Sequence, residues 1–225
     1  MLIFGHRGSS GTDPENTMPS FRQAIAVGAD GVELDARATI DGIPIVIHDG
    51  DVSRATTGSG TVETMTLAEA QRIDAGDGER IPTLDEVIGL LAGLLTIDIE
   101  IKQAGIERLV LDVLNRHPAA DWFISCFDWG VLENVRRLSP AAAVWPLAVA
   151  ADDALFAIAA RLQSPGIALQ HRAYTVEVAE RCAAAGLLVG VWTVNDPTEG
   201  RRVQALGAAT LMTDYPAMMR SALTT

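Results

Sequence analysis

Cysteine is nearly absent from this chain of 225 residues. Only Cys126 and Cys182 occur, so a disulfide-dense secreted scaffold is excluded and nothing calls for an oxidising compartment. Basic residues are in deficit: 17 Lys and Arg stand against 29 Asp and Glu, a formal net charge of −12. That balance argues against sequence-independent binding to nucleic acid or to an anionic membrane, since both need clustered Lys and Arg. Long apolar runs are missing as well, and none approaches the roughly 18–20 residues of a membrane span. The opening Met1-Leu2-Ile3-Phe4-Gly5-His6-Arg7-Gly8 lacks the basic stretch and apolar core of a signal peptide. The expectation is a cytoplasmic protein with no nucleic-acid partner and no stable membrane anchor. Oligomeric state is left open, because exposed apolar patches are not readable from sequence. No solenoid repeat or low-complexity tract occurs. What the chain does have is core material, 48% hydrophobic against 20% charged residues, which excludes wholesale disorder.

Short apolar runs alternate with Ala-rich helical stretches. The pattern predicts strands over 2–5, 31–36, 44–47, 96–101, 122–126, 143–148, 166–169, 188–193 and 210–213. It predicts helices over 18–28, 83–93, 105–116, 129–138, 152–162, 175–185, 197–206 and 215–222. Strand–helix–strand repetition implies parallel pairing with helical crossovers. Asp41-Gly42 between two apolar runs reads as a hairpin turn, which makes 44–47 the return arm of the second strand. Eight strands remain, each followed by a helix. The fold class is therefore α/β, a (β/α)8 TIM barrel, with 1–225 as a single domain. Residues 49–80 are rich in Gly, Ser, Thr and Asp and carry a short helix near 66–73. They are too long for an ordinary βα loop and are expected to form an insertion after the second strand, over the barrel mouth. The alternative is a loose surface excursion.

The second strand alternates Val32, Leu34 and Ala36 with Glu33 and Asp35. Side chains of a strand point alternately to its two faces, so both carboxylates share one face and, in a barrel, point inward. Two desolvated carboxylates repel each other and need a cation or a proton. A hard divalent metal with oxygen ligands meets that need; a solvated edge or a salt bridge is the plainer alternative. The strand 96–101 repeats the pattern, with Ile97, Ile99 and Ile101 on one face and Asp98, Glu100 and Lys102 on the other. Glu100 is placed to join Glu33 and Asp35 around one ion, and Lys102 to neutralise an anionic substrate, unless Glu100 and Lys102 form a structural pair. His6 closes the first strand and His48 the hairpin arm. Active sites of (β/α)8 enzymes lie at the C-terminal strand ends, and two imidazoles there suit general acid and general base. Asp49 is placed to orient His48. Arg7 with Lys102 supplies two cations for an anion whose charge grows in a transition state, as in phosphoryl chemistry.

Further candidates follow from position. Glu15 lies on the first βα loop beside the site, whereas Asn16 and Thr17 are equally well read as the start of a helix, with Thr17 as N-cap and Pro19 in the first turn. His171 follows the strand 166–169 and so falls on the mouth side, while His117 reads as a surface residue. Trp192 and Phe127 are read either as packing against a ligand's glycerol or head group or as core. Cys126 and Cys182 read as small buried residues rather than nucleophiles.

These residues, in this order, resemble the glycerophosphodiester phosphodiesterase family. The matching segments include His6-Arg7-Gly8, Pro14-Glu15-Asn16-Thr17, Gly28 to Asp35, Asp41-Gly42, His48-Asp49, Arg54 to Gly58, Ile81 to Val87, Ile99-Glu100-Ile101-Lys102, Val191 to Asn195 and Met212-Thr213-Asp214. The ordered set is specific and spans nearly the whole chain, although 128–186 carries little of it. One departure is Arg54-Ala55-Thr56, where the family tends to carry two threonines after the arginine. The resemblance implies a barrel with an insertion after the second strand. It implies hydrolysis of a small-molecule glycerophosphodiester to sn-glycerol 3-phosphate and an alcohol. A divalent ion, Mg2+ or Ca2+, is implied on Glu33, Asp35 and Glu100. The implied catalytic pair is His6 and His48, with phosphate binding by Arg7 and Lys102. A lysophospholipase D-type activity on the same scaffold and an inactive barrel serving as a binding module are the rival expectations. A metal-dependent isomerase or aldolase would explain the carboxylates and the lysine but not the paired histidines.

Overall fold

Eight of the predicted apolar runs become the staves of one closed cylinder. The computed structural model describes residues 1–223. In chain order the elements are β1 (Leu2–His6), α1 (Met18–Ala26), β2 (Gly31–Ala38), β3 (Pro44–Val46), α2 (Leu67–Ala70), α3 (Leu84–Leu91), β4 (Thr96–Ile101) and α4 (Glu107–Arg116). They continue with β5 (Asp121–Cys126), α5 (Trp129–Leu138), β6 (Val144–Ala148), α6 (Asp153–Leu162), β7 (Gly166–Gln170), α7 (Val176–Ala184), β8 (Leu188–Trp192), α8 (Pro197–Ala205), β9 (Thr210–Thr213) and α9 (Pro216–Leu223). Strands β1, β2 and β4 to β9 pair in parallel, and β1 pairs with both β2 and β9 to close the ring. The fold is a (β/α)8 TIM barrel. The additional strand, β3, runs antiparallel to β2, with Ala36 opposite Val46 and Ala38 opposite Pro44. That is the hairpin expected from Asp41-Gly42.

Alternation decides what fills the cylinder. Val32, Leu34 and Ala36 of β2, and Ile97, Ile99 and Ile101 of β4, are buried against the surrounding helices in the main apolar core. The opposite faces point inward. Toward the N-terminal end the interior is plugged by Phe4, Phe123, Trp145 and Met212. The Phe123 and Trp145 rings stack with centroids 4.6 Å apart, and Phe4 lies 6.3 Å from Phe123. Phe4 sits opposite Gly31 in the ladder, and a Cβ on Gly31 would come within 2.5 Å of its ring; glycine is there to admit the ring. The plug forces any chemistry to the other end of the barrel.

Residues 49–80 are packed rather than loose. Val52, Val62, Ala70 and Ala75 bury themselves with Ile45, Ile47 and Ile81 in a small second core, and two isolated bridges, Asp51 with Thr61 and Asp74 with Arg80, tie the segment together. The short helix α2 is held by a capping box in which Glu69 Oε2 accepts from the Thr66 amide at 2.8 Å. The start of α1 departs from expectation. Thr17 occupies the N-cap position, but its hydroxyl donates to the Pro14 carbonyl at 2.6 Å and makes no cap bond. Its side chain closes the preceding loop instead.

Because the plug is closely packed, Phe4→Ala is expected to destabilise the protein by about 3–5 kcal/mol, the usual cost of an aromatic truncation in a core, as read by equilibrium urea unfolding.

Candidate active site

Register brings the acidic side chains together. In the ladders His6 lies beside Glu33, Glu33 beside Asp98, and Asp35 beside Glu100. Glu33, Asp35 and Glu100 each offer an oxygen within 4.8 Å of the other two, and all three are buried. Asp35 Oδ1 has no hydrogen-bond partner; Lys102 Nζ stands 3.5 Å away. Burial, then the charges of Asp35, Glu100 and Asp98, push the Glu33 carboxyl well above the ordinary carboxylate range, against the pull of Arg7. Burial also raises Glu100, although Lys102 opposes it. An all-oxygen set with an orphaned buried acceptor and mutual repulsion fits a hard divalent cation.

Two cations flank the triad. Lys102 Nζ donates to Glu100 Oε1 at 2.7 Å. Arg7 stands in left-handed backbone, φ 54°, a conformation that few non-glycine residues adopt. It aims the Arg7 amide at Glu33 Oε2, 3.0 Å, and brings Nε to 3.2 Å from Asp35 Oδ2. Gly8, at φ 82°, completes the turn where a Cβ would fall 2.3 Å from Ser20 Oγ. Asn16, also left-handed at φ 59°, donates from Nδ2 to Asp35 Oδ2 at 2.8 Å. The residue weighed above as part of a helix start in fact holds a triad carboxylate.

Each histidine is backed by an aspartate. His6 Nδ1 lies 2.7 Å from Asp214 Oδ1, and His48 Nδ1 lies 2.6 Å from Asp49 Oδ1. A carboxylate at Nδ1 holds the ring proton there and leaves Nε2 for the site. His6 Nε2 is 3.9 Å from Glu33 Oε2. Asp214 is itself gripped by Ser10 and Asn195. Burial raises its carboxyl, but the His6, Asn195 and Ser10 contacts outweigh that and bring it down to about 2. Burial, with Lys102 and Arg7, lowers the His48 imidazole below its ordinary value, despite Asp35 and Asp49.

One cleft of about 130 Å³ is lined by His6, Arg7, Glu33, His48, Asp98, Glu100, Lys102, Ser125, Phe127 and Trp192, among others. Phe127 and Trp192 meet edge to face at its rim, centroids 5.4 Å apart. Glu15 stands behind Arg7, accepting from its Nη1 at 2.8 Å. His171 stands apart from the cleft: its Nδ1 is 2.7 Å from Glu199 Oε1, and it lines a separate depression with Arg172, Asn195 and Asp196. Its place at the mouth is as expected, but the 3-10 turn after β7 turns it toward α8. The part played by Asp214 is not expected from its position alone. The available signal is an acid directly after a barrel strand, but its partner lies 208 residues away.

A parallel barrel whose C-terminal mouth gathers two aspartate-backed histidines, two cations and a buried carboxylate cluster is built as an enzyme of anionic substrates. Residues 6–218 match the sequence profile of the Glycerophosphoryl diester phosphodiesterase family. The glycerophosphodiester phosphodiesterase of Caldanaerobacter subterraneus subsp. tengcongensis is 33% identical over 229 residues, covering 96% of this chain and 94% of that one. A phosphodiesterase of Oleispira antarctica, solved in complex with the product sn-glycerol-3-phosphate, is similar in structure with a TM-score of 0.96 at 30% identity, covering 100% of this chain and 97% of that one. The glycerophosphodiester phosphodiesterase of Thermotoga maritima gives a TM-score of 0.86 at 27% identity, over 98% and 97% of the two chains. The chain belongs to the glycerophosphoryl diester phosphodiesterase family, as a phosphoric diester hydrolase. No helix among the described residues is long and apolar enough to cross a membrane.

The raised carboxyls make a linked prediction. A carboxyl whose folded value lies above its ordinary one, 4.5 for Glu33, ionises first in the unfolded chain. Stability then falls as pH rises from that ordinary value through the raised one. Protein stripped with chelator is therefore expected to melt lower at pH 8 than at pH 5. Added divalent cation should close the gap, and Glu33→Gln should narrow it, all readable by scanning calorimetry. The depressed Asp214 acts in a different window, its contribution being lost only as pH falls toward about 2.

Proposed function

We propose that the chain hydrolyses glycerophosphodiesters to sn-glycerol 3-phosphate and an alcohol, with His6 and His48 as the acid–base pair and Arg7 and Lys102 on the phosphate. The observation that carries this reading is the single cleft lined by both imidazoles, both cations and two carboxylates of the triad. The Oleispira relative's bound product supports the substrate class.

In this reading Glu33, Asp35 and Glu100 hold a divalent cation, Mg2+ or Ca2+, chosen by an oxygen-only donor set. When bound, it supplies positive charge for a phosphate oxygen and relieves the repulsion among the three carboxylates. Arg7 and Lys102 take up the remaining phosphate charge, each kept protonated by the buried carboxylates beside it. His48, lowered by burial and by the two cations, is a free base at neutral pH and takes the proton of the nucleophile. His6, whose Nδ1 is fixed by Asp214, gives a proton to the leaving alkoxide. Inline displacement needs the two groups on opposite sides of phosphorus, and the two imidazoles reach the cleft from different segments: His6 ends β1, and His48 follows β3. The same pair serves whether water or the glycerol 2-hydroxyl attacks. Glu15 orients Arg7, and Phe127 with Trp192 line the approach of the organic groups.

The alcohol is read as small and polar. The depression beyond Phe127 mixes Arg37, Lys102, Gln103 and Asp128 with Ile101, Ala104, Cys126 and Val131, so its charged side chains interrupt the continuous apolar groove an acyl chain needs. An inactive binding module has no use for two complete histidine–aspartate pairs.

Release of sn-glycerol 3-phosphate from glycerophosphocholine is expected with Mg2+ or Ca2+ and is expected to stop with chelator, while a lysophospholipid assayed alongside is expected to be a poor substrate. His6→Ala and His48→Ala should each lower kcat by about 10²–10⁴. Full turnover by either variant at saturating cation would remove that residue from the mechanism.

A further inference from the structure

Arg54, at the end of the 3-10 turn Val52–Arg54 in the insertion, stands between the two halves of the site. Its Nη2 and Nη1 donate to Glu15 Oε1 and Oε2 at 2.6 and 3.1 Å. Its Nε donates to Asp49 Oδ2. Glu15 Oε1 also accepts from Arg7 Nη1 at 2.8 Å, and Asp49 Oδ1 lies 2.6 Å from His48 Nδ1. An unbroken path therefore runs from Arg7 through Glu15, Arg54 and Asp49 to His48. Its members come from three places in the chain: the β1–α1 connection, the segment after β3, and the insertion.

We propose that Arg54 is a positioning residue for the phosphodiester reaction, forking between Glu15 and Asp49 so that the phosphate-binding guanidinium and the catalytic imidazole are fixed relative to each other. The inference rests on the roles given above to Arg7 and His48. An exposed ion pair adds little to stability. A half-exposed guanidinium spending three donors on two carboxylates, each already engaged with a site residue, is poorly explained as a brace for the fold. Glu15 is held ionised because Arg54 and Arg7 outweigh its burial, and Asp49 because Arg54 and His48 outweigh its own. The insertion thus serves catalysis by ordering the mouth from one side, beyond any part it plays in selecting substrate. A planar fork is what the task needs, and an ammonium offers only a point charge.

Arg54→Gln, Arg54→Lys, Glu15→Gln, Asp49→Asn and the Glu15→Gln/Asp49→Asn pair test the proposal. Each is first checked for folding by its melting curve. Arg54→Gln is expected to lower kcat about 10–100-fold, the scale of a small misplacement of reacting groups, with KM raised through Arg7. Arg54→Lys should recover only a small part. The Glu15 and Asp49 defects should combine less than multiplicatively, although the two carboxylates share no contact except through Arg54. An activity-free readout is the His48 imidazole titration by NMR, in a chain with only four histidines. His48 is faced by Asp35, Lys102, Arg7 and Asp49. Removing the positive charge beyond Asp49 in Arg54→Gln should move the titration to higher pH. Full rescue by lysine, or an unchanged titration with unchanged kcat and KM, would overturn the proposal. If the wild-type protein released no glycerol 3-phosphate, the functional reading would fall, while the imidazole titration would still report whether Arg54 acts through Asp49.

Discussion

Three carboxylates that repel one another are held within 4.8 Å in a buried place, and the rest of the mouth is arranged around that fact. Desolvation alone disfavours each charge, and proximity adds to the penalty. Strand register imposes the cluster: Asp35 and Glu100 are ladder neighbours on β2 and β4, so no side-chain motion separates them far. The surroundings then supply positive partners at fixed points, with Lys102 on Glu100, Arg7 on Asp35 and the Arg7 amide on Glu33. Even so, Asp35 keeps one oxygen free of hydrogen bonds. The residual negative potential suits a divalent cation, the charge that would offset the repulsion an anionic phosphate would otherwise meet there.

The outer shell of the site follows from the same electrostatics. Both histidines need a defined tautomer, and each takes it from an aspartate placed at Nδ1. Asp214 draws its own support from Asn195 and Ser10, so the C-terminal strand locks the residue that closes the first. Asp49 draws support from Arg54 in the insertion. The two pairs are therefore steadied by different parts of the chain, one from the ring closure of the barrel and one from the packed excursion after β3. At the opposite end, the stacked rings of Phe123 and Trp145 beside Phe4 close the floor beneath the carboxylates and give the barrel stiffness where no chemistry is needed.

Much of this was legible in linear order. Alternation in Val32-Glu33-Leu34-Asp35-Ala36 and in Ile97 to Lys102 told which side chains share a face, because a strand's period of two admits only one assignment. Histidines and cations at the ends of predicted strands indicated the end of the barrel at which the structure gathers them in one cleft. Other features were hidden. Thr17 takes the N-cap position expected of it, but its hydroxyl donates to the Pro14 carbonyl and accepts no bond from the helix, so it braces the loop before it. His171 reached the mouth as expected but is engaged by Glu199 and turned from the cleft.

The amino-acid order by itself determined the elements, the inward carboxylates and the identity of the paired imidazoles, because those depend on local periodicity and on residue chemistry. Only the tertiary structure decided that Asp214 backs His6, that Asn16 serves a carboxylate, and that Arg54 bridges two loops. Those contacts join residues up to 208 positions apart, and their distances are set by the closure of the cylinder and the packing of the insertion. No property of a short stretch of sequence encodes them.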